Sequence, residues 1–545
     1  MASINKTCLT CKGNYEVFDA DQSFYQRVSA PVPKYCPPCR MQRRIAHRNE
    51  RTLYRRVCDL CKKEGVSIYP AGTPWPVYCA PCWWSDGWSA KSFAMDYDPS
   101  RPFLDQWQEL QAKVPRIALL CLTSVNSEYT NNAGDNKNCY LIFAAEQNED
   151  SMYSRLIMHC KSCVDCAWVY DSELCYECVD CRGCFKCMYS ERCQKSTDLL
   201  FCFDVRDSQN CILSVNLRHK QYCIENVQYT KEEFEKKKKE ILASRESIEA
   251  AKKRYAQLRG QALVKYAFQT KCVDATGDYM FNCHEGRLLF DTTSAKACKY
   301  LADAEEPIDC YDMNNAYYKP ELCVDIMGVL QINNCKYSSY IFYSNELEYC
   351  DSCHNSNSCF GCIGMTKVNN CILNKQYSKE EYQKLRAQII ESMKKDGTYG
   401  DFLPPNLSPF GYNETLAKDF FALTKEEALA RGFKWQDNIS TGTVGKENGK
   451  DIFACADCSR NFRITPAELQ FYQQMQVPLP TKDFECRHRD RMAKRTPRRL
   501  WHRSCQCKIG HDHADKPCAN EFETAYAPDR KEVIYCEPCY QAEVV

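Results

Sequence analysis

The chain has 545 residues, with 72 Lys+Arg against 71 Asp+Glu, so its formal net charge is +1. This length predicts roughly three or four domains, and 44% apolar with 26% charged residues excludes wholesale disorder. No apolar run approaches the roughly 20 residues of a membrane span, and the N-terminus lacks the apolar stretch of a signal peptide. The 41 cysteines therefore belong to a chain that we expect in the reducing cytoplasm, where thiols serve metals or chemistry more often than disulfides.

The two ends of the chain resemble each other. A shift of 447 places Cys8 and Cys11 on Cys455 and Cys458, and Cys39-Arg40 on Cys486-Arg487. Beyond Cys505, the equivalent of Cys58, the shift becomes 457, so the C-terminal copy has ten extra residues. A match of this length predicts two copies of one tandem module, at 1–98 and 451–545.

A second duplication, at a shift of 148, lies between the modules. It maps five cysteines of the first half onto five of the second: Cys175, Cys187, Cys202, Cys211 and Cys223 onto Cys323, Cys335, Cys350, Cys359 and Cys371. From Cys121 to Cys223, all fourteen cysteines are separated by multiples of three. Helices and strands have periods of 3.6 and 2, so neither sustains this spacing. A solenoid does, if its coil length is a multiple of three.

The predicted fold class is therefore mainly β: a cysteine-rich β-solenoid in two duplicated halves, flanked by tandem zinc-ribbon or treble-clef-like modules, with a few helices. Solenoid half 1 is predicted at 99–229, a helical connector at 230–262, half 2 with a closing helix at 263–396 and a loop-rich linker at 397–450. Helices are expected at about 99–113, 231–258, 379–395 and 424–431, with Thr230 and Ser378 as N-caps. The lysine run 236–239 is expected on a solvated helix face.

The N-terminal module contains two pairs of CxxC motifs, which together supply eight thiolates. Two such motifs can surround one zinc ion tetrahedrally, and a reactive dithiol is the alternative. The predicted zinc ligands are Cys8, Cys11, Cys36 and Cys39 for the first site, and Cys58, Cys61, Cys79 and Cys82 for the second.

The C-terminal copy departs from this pattern. Asp483 stands where the first copy has Cys36, so the third site has Cys455, Cys458 and Cys486, completed by Asp483, by His488, or by no metal at all. The fourth site combines Cys518, Cys536 and Cys539 with Cys505 by register, although Cys507, His511 or His513 can replace it. Three or four zinc ions are expected in total; structural sites are the favoured interpretation, and a three-ligand zinc with an open position, which is catalytic in form, is the alternative at the fourth.

The solenoid cysteines allow two interpretations. Free cysteine is often buried and packs as a small apolar residue, so an inward-facing row of cysteines would form a narrow core. Metal or cluster binding by Cys160, Cys163 and Cys166, or by the run from Cys175 to Cys187, is the alternative.

Charge is unevenly distributed. The solenoid halves are acidic, with ten basic against fifteen acidic residues in 128–229 and nine against fourteen in 263–377. Both modules contain arginine stripes, and phosphate is the commonest anionic partner of such stripes. The candidate nucleic-acid contacts are Arg40, Arg44, Arg48, Arg51, Arg487, Arg491, Arg495 and Arg498. The alternative is that these arginines dock the modules onto acidic residues of the solenoid.

The sequence contains no GxGxxG, P-loop, HExxH or GxSxG motif and only nine histidines, so we nominate no catalytic residue and no small-molecule substrate. The leading hypothesis is a cytoplasmic zinc-binding scaffold that engages nucleic acid or a ribonucleoprotein through its arginine-rich ends. The alternative is an enzyme, or a protein that handles thiols or metals, using the solenoid cysteines.

Several phrases carry a family resemblance: Cys36-Pro-Pro-Cys39-Arg40, Asn49-Glu-Arg-Thr-Leu-Tyr54, Tyr129-Thr-Asn, Asn136-Lys-Asn-Cys139-Tyr-Leu and Gln376-Tyr-Ser-Lys-Glu-Glu-Tyr382. Over essentially the whole chain, the sequence resembles large cysteine-rich, zinc-ribbon-bearing proteins of candidate-phyla (Patescibacteria-type) bacteria. The resemblance implies zinc-binding end modules and no particular activity. Some relatives carry a class III CoA-transferase label, but no stretch of this chain is typical of that enzyme's α/β domain.

Overall fold

Parallel strands dominate the structure, a computed structural model. It describes residues 3–296, 299–300, 302–304, 311, 313–317, 320–439, 452–509 and 517–544. Within these residues the chain is mainly β with a smaller share of helix. No helix among them is both long enough and apolar enough to cross a bilayer.

The N-terminal module (residues 3–98) consists of two short hairpins, each followed by a helix, and it leads into a further helix and strand. These elements are β1 (Ile4–Thr7), β2 (Asn14–Val17), α1 (Asp19–Arg27), α2 (Pro37–Ile45), β3 (Tyr54–Val57), β4 (Glu64–Ser67), β5 (Val77–Tyr78), α3 (Ala80–Trp83), α4 (Phe103–Lys113) and β6 (Arg116–Ile117). Helix α4 confirms the helix expected at about 99–113.

The first ladder (residues 121–228) is a stack of short parallel strands closed by an antiparallel hairpin. Its strands are β7 (Cys121–Leu122), β8 (Asn131–Gly134), β9 (Phe143–Glu146), β10 (Arg155–Met158), β11 (Ala167–Tyr170), β12 (Val179–Arg182), β13 (Thr197–Leu200), β14 (Gln209–Ile212), β15 (Gln221–Ile224) and β16 (Val227–Gln228). The connecting elements that follow are α5 (Lys231–Leu242), α6 (Arg245–Gln261) and β17 (Leu263–Lys265).

The second ladder (residues 269–376) repeats this arrangement with ten strands. They are β18 (Gln269–Thr270), β19 (Gly277–Phe281), β20 (Leu289–Thr293), β21 (Ala302–Ala304), β22 (Asn314–Tyr317), β23 (Met327–Asn333), β24 (Ser339–Glu348), β25 (Asn357–Phe360), β26 (Asn369–Ile372) and β27 (Lys375–Gln376).

Helices α7 (Lys379–Lys395), α8 (Ala417–Phe420) and α9 (Lys425–Ala430) lead toward the C-terminal module (residues 452–544). That module contains β28 (Ile452–Ala454), β29 (Asn461–Arg463), α10 (Pro466–Met475), α11 (Phe484–Ala493), β30 (Trp501–Ser504), β31 (Glu521–Thr524), β32 (Val533–Tyr535) and α12 (Glu537–Val544). Strand β32 pairs in parallel with β17 and so attaches the module to the connector between the ladders.

Thr230 and Ser378 are N-caps as predicted, because each hydroxyl accepts a hydrogen bond from the amide three residues on. Helix α7 matches the prediction, whereas the helix expected over 231–258 is two helices, because Ser244 caps a new one. In the lysine run, Lys236, Lys237 and Lys239 are exposed, but Lys238 is buried and pairs with Asp198.

Residues that pair in parallel in the first ladder lie twelve positions apart, as in the pairing of Phe143 with Arg155 and of Arg155 with Ala167. The second ladder keeps this register except for one step of eleven, from Gln269 to Met280, and one of thirteen, from Asn314 to Met327. The sequence contains the same two intervals, eleven residues from Cys272 to Cys283 and thirteen from Cys310 to Cys323, and these interrupt the multiples of three in the second half.

The spacing of three has a backbone cause. From Asn132 to Glu225, every third residue has a φ near +50°, apart from Gly183 at +63°. A left-handed residue at every third position bends the chain, so that side chains three residues apart can all point toward the interior of the ladder. One buried cluster follows this spacing through the first ladder, from Cys139 to Cys223, and contains mostly cysteine with Ile, Val, Leu and Ala.

The thiols in this cluster also donate hydrogen bonds to the backbone. Cys178 Sγ lies 3.6 Å from the Tyr176 carbonyl oxygen and 3.3 Å from that of Cys187. Serines at equivalent positions donate in the same way and also accept an amide twelve residues on, as Ser151 does from Cys163. Burial raises the pKa of Cys202 and of Cys335, so both are neutral donors. These features match the core interpretation of the cysteines.

Leu213→Ile tests the left-handed backbone. Leu213 has a φ of +51° and is 4% exposed, and β-branched residues fit this conformation poorly. We expect Leu213→Ile to lower the free energy of unfolding by about 1 kcal/mol more than Leu217→Ile, a buried first-ladder control outside the left-handed set. Chemical denaturation measures both variants, and equal losses would contradict the backbone explanation.

Candidate metal centres and buried arginines

Four groups of ligand atoms come together in the modules, and in each group these atoms all lie within 4.8 Å of one another. The groups are Cys8, Cys11, Cys36 and Cys39; Cys58, Cys61, Cys79 and Cys82; Cys455, Cys458, Asp483 and Cys486; and Cys505, Cys518, Cys536 and Cys539. Each could hold a metal ion, and together they contain all sixteen residues that the sequence predicts.

All four centres are built in the same way. Two ligands lie at the end of a two-stranded hairpin, and the other two lie where a helix begins. In the first centre Cys36 is the N-cap of α2, and its amide donates to Cys8 Sγ at 3.3 Å. Cys79 makes the same contact with Cys58 at 3.3 Å, and Cys536 with Cys505 at 3.2 Å. In these three centres one hairpin thiol is thus fixed by the helix start that supplies its partner ligands.

Backbone amides favour the thiolate form in the second centre. Although desolvation opposes ionisation, hydrogen bonds from the amides of Cys61, Cys79 and Leu60 lower the pKa of Cys58 to about 6. Thiolate is the form that binds metal.

The third centre contains Asp483 and not His488. Asp483 is the N-cap of α11, where its Oδ1 accepts the Cys486 amide at 2.8 Å and its Oδ2 lies 2.9 Å from Cys458 Sγ. His488 is buried on another side, with Nε2 3.5 Å from Asp419 Oδ2. Arg460 also faces this centre, with Nε 3.2 Å from Cys458 Sγ.

The fourth centre uses Cys505, the residue that register predicts. Cys507 is fully buried nearby, but its Sγ lies 3.7 Å from the Ile509 carbonyl oxygen and is not part of the group. His511 and His513, which the sequence also allows as ligands, lie outside the described residues.

The arginines that the sequence nominates for nucleic acid are all buried, with only 0–7% of each residue exposed. They are Arg40, Arg44, Arg48, Arg51, Arg487, Arg491, Arg495 and Arg498. Their environment matches the docking interpretation, because most of them meet carboxylates of other segments. Nucleic-acid binding stays a prediction, and it would need cations other than these eight.

Both modules use these arginines to contact the ladders. Arg44 of α2 pairs with Asp325 of the second ladder, and its Nε lies 2.8 Å from Asn314 Oδ1. Arg491 of α11 lies 2.7 Å from Asp165 of the first ladder, which also pairs with Arg487. Each arginine follows a helix start that belongs to a metal centre.

Arg495 connects the two ladders directly. Its Nε lies 3.0 Å from Asp180 Oδ1 of the first ladder, and its Nη2 pairs with Asp291 of the second. Arg498 Nε is 2.9 Å from the same Asp291. Burial opposes the charge on Asp291, but these two guanidinium groups lower the pKa of its carboxyl.

Glu50 makes a connection with the charges reversed: the N-terminal module supplies the carboxylate and the first ladder supplies the arginine. Its carboxylate lies 2.7 Å from Arg155 Nε of the first ladder and 2.7 Å from Arg48 Nε of its own module. The two modules also meet, because Arg51 lies 3.3 Å from Glu485 of α11. Arg51 also lies 2.7 Å from Asp419 of α8. None of these long-range pairs is visible in the sequence alone.

No protein-family model matches the chain, and no curated protein matches it. One solved structure that it resembles is from Desulfovibrio desulfuricans and is described provisionally as an acetyltransferase, with 9% identity and a TM-score of 0.12. The match covers 44% of this chain and 63% of that one, so the chain spans less than two thirds of that protein. A likeness this weak carries no argument about fold or function.

Glu50→Gln tests the buried ion pairs through pH. Burial opposes ionisation, but Arg155 and Arg48 lower the pKa of Glu50 to about 2, below its ordinary value of 4.5. The carboxylate therefore stabilises the fold above pH 4.5, and this contribution is lost as pH falls toward 2. We expect Glu50→Gln to lower the free energy of unfolding by about 3 kcal/mol at pH 7, because it leaves buried arginine charge unpaired.

Urea unfolding of wild type and variant from pH 7 downward measures this effect, and the difference between them should shrink below pH 4.5. Glu109→Gln, which removes an exposed pair with Arg101, is the control and should change stability little. A difference that stays constant down to pH 2 would contradict the assignment.

Proposed function

We propose that this protein is a zinc-stabilised β-solenoid scaffold, in which tandem zinc-ribbon or treble-clef-like modules at both ends hold two solenoid halves in a fixed arrangement. The observation that carries the proposal is the linkage between metal centres and arginines. Each of α2 and α11 begins within a four-ligand centre and then places arginines against ladder carboxylates.

The geometry of the three all-cysteine centres supports zinc as the metal. A tetrahedral ion with zinc–sulfur bonds of about 2.3 Å has sulfur–sulfur edges of about 3.8 Å. The Sγ atoms of Cys11 and Cys36 are 3.7 Å apart, and the pairs Cys61–Cys79 and Cys518–Cys536 are each 3.8 Å apart. When bound, the ion would neutralise the thiolates and crosslink each hairpin to its helix.

The third centre fits a metal less well. A zinc ion would hold sulfur and carboxylate oxygen about 3.6 Å apart, but Cys458 Sγ and Asp483 Oδ2 are 2.9 Å apart, a hydrogen-bond distance. Arg460 supplies positive charge here, 3.4 Å from Asp483 Oδ2, at the position where the first copy has Gly13. We therefore expect three tightly held ions in the all-cysteine centres and a weakly bound ion in the third centre.

A scaffold needs a surface for its partner, and for nucleic acid we propose the cleft between α6 and the C-terminal module. Its volume is about 1050 Å³, and besides Arg487 and Arg491, whose charges are paired with Asp165, its lining has seven basic against six acidic residues. Lys252 and Lys531 are among the basic ones, and Lys531 is exposed. An exposed lysine in such a cleft is the kind of group that a phosphate backbone would contact.

The alternative, chemistry at the ladder cysteines, has less support. Their thiols are buried in the core and donate hydrogen bonds to carbonyls. Such thiols act as reduced structural groups, which supports a cytoplasmic setting for the scaffold.

Cys39→Ser tests the zinc assignment against a matched ladder cysteine. Cys39 belongs to the first centre, while Cys178 is a buried donor in the first ladder. We expect native mass spectrometry to show one zinc fewer in Cys39→Ser, and wild-type zinc content in Cys178→Ser. Asp483→Cys should make the ion of the third centre resist a chelator that removes this ion from wild type.

A zinc count that is unchanged in Cys39→Ser, or that falls equally in Cys178→Ser, would contradict the assignment.

The nucleic-acid proposal is tested with a fluorescein-labelled single-stranded RNA 20-mer. We expect Lys252→Glu with Lys531→Glu to weaken binding at least tenfold and to reduce the slope of log affinity against log salt by roughly one. Lys236→Glu with Lys239→Glu, on the exposed face of α5, is the charge-matched control and should have less than a threefold effect. Absence of salt-dependent binding in wild type, or equal loss in both variants, would overturn the proposal.

A further inference from the structure

A second cleft lies between the two ladders and is separate from the metal centres. Its volume is about 560 Å³, and strands β7–β9 face β23 and β24 across it. Its apolar walls include Leu120, Leu122, Ala133, Val329, Leu330 and Phe342. This volume and this lining are typical of sites for small organic molecules.

Two buried hydrogen-bonding groups line this cleft without a partner. Asn132 Nδ2 and Tyr340 Oη make no hydrogen bond with any described residue. A buried donor left unpaired costs roughly 1–3 kcal/mol. Burial raises the pKa of Tyr340, so its hydroxyl is a neutral donor. An accepting oxygen on a ligand would satisfy a donor of this kind.

Aromatic rings at the cleft remain open to a ligand. Trp84 is 45% exposed and Tyr343 is 51% exposed, although both are large side chains in a cleft with apolar walls. Phe342 is fixed by stacking on His354, with ring centroids 4.7 Å apart. Flat aromatic surfaces of this kind favour a ligand that contains a ring.

Charge in the lining disfavours an anion. The lining contains one guanidinium, that of Arg48, which pairs with Glu50 at 2.7 Å, and two carboxylates, those of Asp135 and Glu146. Asp135 already accepts a hydrogen bond from the Thr123 hydroxyl at 2.5 Å. A negatively charged ligand would meet net repulsion in this cleft.

We propose that the cleft between the ladders binds an uncharged, ring-containing small molecule whose carbonyl oxygen accepts hydrogen bonds from Asn132 and Tyr340. The site goes beyond the scaffold function and does not depend on nucleic-acid binding. Its walls come from both ladders, so a bound molecule would add apolar contact across their junction.

The probe for this site is 6-propionyl-2-(dimethylamino)naphthalene, a neutral naphthyl ketone whose emission shifts to the blue in apolar surroundings. With the zinc-loaded full-length chain, we expect saturable binding of one probe per protein. Asn132→Asp replaces the donating amide with a carboxylate and should weaken binding at least tenfold. Tyr340→Phe removes the other donor and should weaken binding at least threefold.

Asn370→Asp is the matched control, since Asn370 has the same left-handed backbone, with a φ of 52°, at the far end of the second ladder. It should bind the probe within twofold of wild type. The anion 2-naphthoate should bind at least tenfold more weakly than the ketone. Thermal unfolding of each variant identifies any loss of probe binding that is caused by misfolding. If Asn132→Asp does not fold, the affinity of Tyr340→Phe tests the proposal.

The absence of saturable binding to wild type would overturn the proposal. So would unchanged affinity in both folded variants, or tighter binding of 2-naphthoate than of the ketone.

Discussion

The twelve-residue register of the ladders is the constraint on which the rest of the structure depends. It stacks each left-handed residue on another, as Tyr153 on Leu141 and Asp165 on Tyr153, so the same side chain direction recurs in every layer. A single left-handed residue costs roughly 1–2 kcal/mol, and dozens of them persist because the layers share backbone hydrogen bonds and one buried core. The ladders therefore present acidic residues such as Asp165 and Asp180 at fixed heights to the modules.

The modules depend on this register because their arginines must meet those acids. Helix α11 begins at Asp483 in the third centre and carries Arg487 and Arg491 to Asp165 of the first ladder. Farther along the chain, Arg495 lies between Asp180 and Asp291, one from each ladder. Buried pairs of this kind add little net stability over apolar packing, but loss of one partner is costly. These pairs therefore specify one arrangement of modules and ladders, while they add little to the stability of that arrangement.

The sequence predicted the local features well. CxxC spacing and the end-to-end match identified all four groups of ligand atoms, with Asp483 as one of the alternatives for the third, because ligands within a group are close in sequence. The spacing of three was recognised, but its backbone cause was not. A signal did exist: among the described residues with positive φ, Thr123 is the sole β-branched one. Contacts such as Arg44 with Asp325, which are 281 residues apart, could not be predicted, because only the folded chain brings them together.

The register also limits how such a chain can change in length. An insertion of one residue within a layer would move the later core side chains out of the core, unless a later layer restores the register. The steps of eleven and thirteen residues in the second ladder show this compensation within a single protein. Gene segments of twelve codons are thus the natural unit of growth or loss for the ladders, and related proteins should differ in length by whole layers.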